Sequence, residues 1–397
     1  MDSDILAAVE AEQYKVADSK PKREYPNGWT PGVTCDGYSG TITTEPLESA
    51  PNDWAEILDV WGLDPDKYEI QEPVSFSAWD SQRGGETVRL FSYKASIRLR
   101  SKYTIGFDYD DLVKEIKKFK PKANKPTGGE SFVVCLADLQ LGKKDGDGTI
   151  GTINAFQQSI ANIKERVKEL RKIGREIGTL YIGGLGDIIE ACSDNYAQQL
   201  FTVELNLRDQ LKVARRVIRD AIVELAPMFE NVVVFAVPGN HGEASRRSGK
   251  NVTDDADNHD VALFETLAEV FSMNNAFDHV RFMLPDDEMF MMFNISGVNV
   301  CFAHGHRTKG GSNPSQKQKN WWADMAFTEQ PPGDASILVT AHYHHLIVVD
   351  HGPKTHIQCP ALDGGSKWWA DMGGGVSKRG ILTFVVDERG HKDLEVL

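Results

Sequence analysis

Seven residues with oxygen or nitrogen lone pairs follow five apolar runs in this chain. Asp138 and Gln140 follow Phe132 to Ala137, Asp187 follows Leu180 to Gly183, and Asn240 follows Val232 to Val237. His304 follows Val298 to Ala303, and His342 and His344 follow Ile337 to Thr340. On an extended segment, residues two apart project to the same side, so Asp138 with Gln140, or His342 with His344, can grip one centre together. Asn240 offers a neutral oxygen to a hard cation, and the adjacent His241 is a proton carrier titrating near neutrality. Two carboxylates with several imidazoles suit a pair of divalent cations, one carboxylate bridging them.

The elements that must position these residues are legible in the periodicity. Each apolar run has the length and β-branched content of a buried strand, and Pro238 and Gly239 stop the third abruptly. Between the runs, a helix is expected from about Ile153 to Ile177, with Phe156, Ile160, Ile163, Val167, Leu170 and Ile173 on one stripe. A second is expected from about Leu205 to Leu225. Beyond Phe271 the pattern turns to strands. Residues 131 to 397 therefore read as one domain, a β-α-β half followed by a mostly β half.

The preceding residues read differently. Residues 1 to 50, rich in Pro, Gly, Ser and Thr, look like an extended or disordered arm. Residues 51 to 120 read as a small α+β module. In it Asn52-Asp53 caps a short helix, alternation from Thr87 to Arg100 marks a strand with a register slip near Phe91-Ser92, and Asp108 to Phe119 forms a helix. Residues 121 to 130, with two prolines and a Gly-Gly pair, are the expected linker.

Composition narrows the classes. The 397 residues, 41% apolar, can supply a proper core. A net charge of −14 argues against a general coat for polyanions, although residues 94 to 125 carry ten basic against four acidic residues. Five scattered cysteines without a Cys-x-x-Cys pair argue against a disulfide framework. An acidic start without a basic leader, and the lack of a spanning apolar run, give the expectation of a cytoplasmic protein with no membrane contact. The pentapeptide Trp-Trp-Ala-Asp-Met occurs at 321 and at 368, with buried packing favoured over base stacking.

Taken in order, the strand-end blocks resemble the calcineurin-like metallophosphoesterase family. Its pattern is Asp-x-His, Gly-Asp, Gly-Asn-His-Asp/Glu, a lone His, then Gly-His-x-His. Three departures occur: Gln140 stands for the first His, Ala341 for the last Gly, and Gly242 separates His241 from Glu243. The resemblance says nothing about residues 1 to 125. It implies a metallophosphoesterase-type αββα sandwich, two mixed sheets flanked by helices, preceded here by the α+β module. It also implies one ion on Asp138, Gln140, Asp187 and His344 and a second on Asp187, Asn240, His304 and His342, with Asp187 bridging. His241 would contact the phosphate and protonate the leaving group. A metal-activated hydroxide would then cleave P–O bonds. The amide at Gln140 favours Mn²⁺ there, with Fe, Zn or Mg as alternatives.

The string Ala137-Asp138-Leu139-Gln140-Leu141-Gly142 is similar to the Asp-Leu-His-Leu-Gly signature of SbcD-type DNA-repair nucleases. With the basic segment, this gives DNA as the expected substrate and an exo- or endonuclease as the expected activity. An ATPase partner and a homodimer remain open on the same resemblance. Lys143, Arg246 and Arg247 lie in loops after motif residues and are candidate phosphate contacts. Two alternatives stand beside this: a phosphatase or phosphodiesterase of a small nucleotide-like substrate, which the acidic charge suits, and an inactive scaffold that keeps the fold.

Overall fold

A computed structural model describes residues 30–35, 39–51, 53–99, 109–120, 128–192, 199–247, 250–365 and 378–397. The chain divides into two compact units, Met1–Thr104 and Ile105–Leu397.

In the first unit, β1 (Gly32–Cys35), β2 (Ser39–Thr43), β3 (Tyr68–Arg83) and β4 (Glu86–Leu99) form an antiparallel sheet in the order β1-β2-β4-β3. Gly84 and Gly85, both at positive φ, make the tight β3–β4 turn. Helix α1 (Trp54–Val60) starts where the Asp53 carboxylate accepts the Ala55 N–H at 2.8 Å. Ile42, Leu58, Ala95 and Ile97 form the core. Part of the stretch read as an arm is therefore sheet: β1 and β2 have four and five residues, too short to show a period. The irregularity expected near Phe91-Ser92 lies instead on β3, between Gln71 and Ser75, while Phe91 and Ser92 pair regularly with Ala78 and Ser77.

Helix α2 (Tyr109–Lys118) falls in the second unit, not in the module ending at 120. The reason is local packing. Asn274 Nδ2 donates to the Ile116 and Phe119 carbonyls, at 2.6 and 3.2 Å, and Phe119 stacks on Phe277 with centroids 4.6 Å apart. Residues 121–127 of the expected linker lie outside the described residues.

The second unit runs β5 (Glu130–Leu136), α3 (Gly148–Lys172), β6 (Ile177–Gly184), α4 (Leu207–Leu225) and β7 (Asn231–Ala236). The short pair β8 (Arg246–Arg247) and β9 (Lys250–Asn251) follows, then α5 (His259–Ser272) and β10 (Val280–Met283). The second half has β11 (Phe290–Ile295), β12 (Val298–Ala303), α6 (Pro314–Phe327), β13 (Ile337–Thr340), β14 (Ile347–Asp350) and β15 (Thr355–Gln358). It closes with β16 (Leu382–Asp387) and β17 (Gly390–Val396).

One sheet has the order β10-β7-β6-β5-β16-β17 and the other β11-β12-β13-β15-β14. In the first, β5, β6, β7 and β10 are parallel and step in one direction, so right-handed crossovers place α3, α4 and α5 on one face. The opposite face, through Val133, Cys135, Phe235 and Phe384, packs on Phe293, Val300, Phe302, Val339 and Ile357 of the second sheet. Each such large side chain contributes about 1.5–3 kcal/mol on burial. The far face of the second sheet is covered by α6, where Trp322 meets Cys301 and Leu338 and donates its indole N–H to the Pro332 carbonyl at 2.7 Å. Two mixed sheets flanked by helices are thus the observed architecture, as anticipated. Trp368 and Trp369 lie outside the described residues.

Helix α3 begins and ends about five residues earlier than the expected Ile153 to Ile177; its end is set by Gly174 at φ 101°, and Ile177 opens β6. The mostly β reading of the second half missed α6, which starts at Asn313 capping Gln316 and at Pro314. Among the described residues, no helix is long and apolar enough to cross a membrane.

Candidate metal centre

Register brings the strand ends level. Leu136, Gly184 and Ala236 are neighbours across β5, β6 and β7, and Ala303 pairs with Thr340 across β12 and β13. The loops leaving these ends bond to one another: Gln140 N–H to Asp187 O at 2.9 Å, Ala341 N–H to His304 O at 3.0 Å. Glycine is required where the turns after β6 and β7 cross, since a Cβ on Gly239 would stand 2.2 Å from the Asp187 nitrogen.

Five candidate ligands occupy the left-handed region without being glycine: Asp138 (φ 49°), Gln140 (42°), Asp187 (51°), His342 (71°) and His344 (58°). Such conformations cost energy and persist where surrounding structure enforces them, commonly at functional sites. Here the tight reversals turn side chains from several strands toward one region.

At its centre, Asp187 Oδ2 lies 3.0 Å and Asn240 Oδ1 3.1 Å from His304 Nε2. The other ring nitrogen, Nδ1, stands 2.7 Å from the Leu185 carbonyl, which can only accept, so Nδ1 carries a hydrogen. Nε2 therefore faces two oxygens with either a proton or a lone pair. Ligand atoms of Asp187, His304 and His342 all lie within 4.8 Å of one another. This set of carboxylate, imidazole and amide donors fits a divalent cation.

Electrostatics follow from the same geometry. Burial disfavours the charged form of His304, but Asp187 outweighs it and raises the ring to about 9. His342 is lowered to about 4 by burial and by the neighbouring His304 charge. For Asp187, burial pushes upward while His304 and His241 hold the carboxyl well below its usual range.

Asp138 accepts the His342 N–H at 3.0 Å through Oδ2. Its buried Oδ1 makes no hydrogen bond, with His344 Nε2 at 3.3 Å. Asp138 and His344 are thus brought together beside the His304 cluster. Gln140 is buried there too, but its Oε1 accepts from Lys143 Nζ at 2.8 Å. Lys143, expected in a loop facing substrate, turns inward instead and also pairs with buried Asp363. The side chains of Arg246 and Arg247 lie outside the described residues.

His241 is buried beside Asp187, its backbone N–H donating to Asp187 Oδ1 at 2.8 Å and its Nδ1 3.0 Å from the Glu190 carbonyl. Its Nε2 is 3.9 Å from Asp187 Oδ2.

Sequence reasoning missed Asp260 and Asp363. Asp260, in the first turn of α5, accepts the Asp187 N–H at 2.8 Å and the Ile188 N–H at 3.1 Å, fixing the Asp187 turn. Burial first, then the Asp187 charge, raises it to about 7. The helix-start signal Asn258-His259-Asp260 is visible in sequence, whereas the partner is not. Asp260→Ala is expected to lower stability by about 2–4 kcal/mol by orphaning two buried N–H groups. It should also weaken metal binding by about ten- to a hundredfold. Thermal denaturation and a Mn²⁺ titration check both; unchanged affinity would show that the turn holds without it.

No protein-family model matches this chain, and no curated protein does. Solved structures do match. Vacuolar protein sorting 29 from Cryptosporidium parvum aligns at 14% identity over 66% of this chain and 87% of that one, with a TM-score of 0.31. Its zinc-complexed counterpart from Entamoeba histolytica aligns at 10% identity over 65% and 87%, with a TM-score of 0.29. An archaeal phosphodiesterase aligns at 12% identity over 67% and 99%, also at 0.29. By its own sheets and strand-end donors, the chain is an α/β sandwich with a carboxylate–imidazole centre.

Proposed function

We propose that the chain is a divalent-cation-dependent phosphodiesterase that hydrolyses P–O bonds, with DNA as its substrate. The observation that carries this reading is the convergence of Asp187 Oδ2 and Asn240 Oδ1 on His304 Nε2, with His342 in reach. Asp187, Asn240, His304 and His342 would hold the cation, and Asp138 and His344 stand beside them. When bound, a divalent cation supplies Lewis acidity toward phosphoryl oxygens and lowers the pKa of water, with Mn²⁺ favoured by the mixed oxygen and nitrogen donors. His304 is held by the Leu185 carbonyl with Nε2 directed at the Asp187 and Asn240 oxygens. His241, whose ring Nδ1 is held at the Glu190 carbonyl, would give a proton from Nε2 to the leaving oxygen.

DNA is favoured by the Ala137 to Gly142 string and by the basic excess between residues 94 and 125. The net charge of −14 favours the second reading, a small nucleotide-like phosphoester. A panel of linear and circular DNA, bis-p-nitrophenyl phosphate and mono-p-nitrophenyl phosphate, each with Mn²⁺, separates them. Intact DNA beside cleaved small esters would remove the nuclease assignment. Inertness toward all would leave a scaffold.

Metal binding is expected to strengthen as pH rises. The proton on His304 must leave before Nε2 can ligate, and that ring titrates at about 9 in the metal-free protein. Below that pH, apparent Mn²⁺ affinity should fall about tenfold per pH unit. Calorimetry near neutral pH in buffers of different ionisation enthalpy should then show a proton released for each bound ion. A pH-independent affinity would place the ion elsewhere.

A further inference from the structure

The region around Gln140 already holds a positive charge. Lys143 Nζ donates to Gln140 Oε1 at 2.8 Å and pairs with Asp363 Oδ2. The Lys143 side chain is 11% exposed and that of Asp363 3%, so this cation is held inside the protein. Asp363 Oδ1 lies 3.6 Å from His344 Nδ1, and His344 Nε2 lies 3.3 Å from Asp138 Oδ1. Lys143, Asp363, His344 and Asp138 thus form a run of alternating charge, or latent charge, ending at the centre.

This arrangement conflicts with a second tight divalent ion at that end. Gln140 has one atom able to bind a cation, its amide oxygen, and a lysine that can only donate has taken it. A divalent ion on the same oxygen would face the ammonium across a few ångströms in a water-poor interior, where like charges repel strongly. Asp363, the buried carboxylate beside that ammonium, is already paired with it. Among the described His, Cys, Asp and Glu residues, the three whose ligand atoms all lie within 4.8 Å of one another are Asp187, His304 and His342.

We propose that the centre binds one divalent cation tightly, on Asp187, Asn240, His304 and His342. The Lys143 ammonium, locked by Asp363 and Gln140, supplies the positive charge at the Asp138–His344 end in place of a second tight ion. This rests on the reading that the site takes a divalent cation at all. It gives the Gln140 and Lys143 pair one joint role: an imidazole at 140 would call for a metal, and an amide oxygen there accepts a lysine.

The test is metal stoichiometry, read by elemental analysis after gel filtration and by electron paramagnetic resonance of Mn²⁺. Wild-type protein should retain one Mn²⁺ per chain with the spectrum of an isolated ion. Gln140→His combined with Lys143→Met should retain two, with an exchange-coupled spectrum and a second ion bound about ten- to a hundredfold tighter than in wild type. Lys143→Met leaves Asp363 buried without its partner, so the same pair with Asp363→Asn added keeps the test available if the first variant does not fold. Two tightly held, exchange-coupled ions in wild type would overturn the proposal while leaving the phosphodiesterase reading intact. Folded variants that gain no second ion would also overturn it. Wild-type protein that retains no Mn²⁺ would overturn both.

Discussion

Asp187→Asn is expected to empty the centre of its cation and to abolish hydrolysis. Asp187 Oδ1 accepts the His241 N–H at 2.8 Å, and Oδ2 stands 3.0 Å from His304 Nε2. An asparagine keeps one oxygen, which the His241 N–H claims, and turns its NH₂ toward His304. There it donates to the ring lone pair that a cation would need. The carboxylate charge and the imidazole ligand are lost together, so metal affinity should fall by at least about a hundredfold. Turnover should fall by about 10²–10³-fold or more. The near-identical shape of Asn keeps the turn, whose N–H bonds to Asp260 are made by the backbone of residues 187 and 188. His304→Ala should reach the same end by deleting the ring. Metal content after gel filtration and rates with excess Mn²⁺ measure both variants; full metal and wild-type turnover in either would place the chemistry elsewhere.

His241→Ala should do the opposite to metal and nearly the same to rate. Its side chain contributes no donor to the cluster of Asp187, His304 and His342, so metal content should stay at the wild-type level. Hydrolysis should slow by about 10²–10⁴-fold, the usual contribution of a positioned general acid. In the metal-free chain burial disfavours the charged ring, but Asp187 and then Glu190 raise it to about 10. A cation on Asp187 cancels part of that carboxylate's pull and brings the proton closer to transfer near neutral pH. A general acid works while protonated, so the wild-type rate should fall as pH rises through the His241 pKa, and the variant should lack that limb. The loss should be larger for an alkoxide leaving group, as in DNA, than for p-nitrophenolate, which departs without a proton. Equal losses on both substrates would remove the general-acid role and leave a positioning one.

Much of this centre can be read along the chain because strand ends are local events. Apolar runs of strand length end at Pro238-Gly239 or at Gly186, and the next residues are carboxylates, amides or imidazoles whatever the rest of the protein does. The five-block order is likewise a property of the linear sequence. Helix α3 shows where local reading slips: its apolar stripe continues to Ile173, but Gly174 at positive φ decides the boundary. Strands β1 and β2 show another failure, being too short to carry a period by themselves: β2 is held by pairing with β4, and β1 by pairing with β2.

The donor types and their place after strands were therefore set by the sequence alone. Tertiary structure decided which donors meet. Level ends across β5, β6 and β7 bring Asp187 to Asn240, and packing of the two sheets carries His304 to the Leu185 carbonyl. Asp260 reaches Asp187 from 73 positions away, and Lys143 finds Asp363 across 220. Periodicity and propensity act over a few residues, whereas a buried charge selects its partner from whatever the folded loops place beside it. For that reason Lys143, which in sequence is a lysine in a polar loop, becomes an interior cation only in the folded chain.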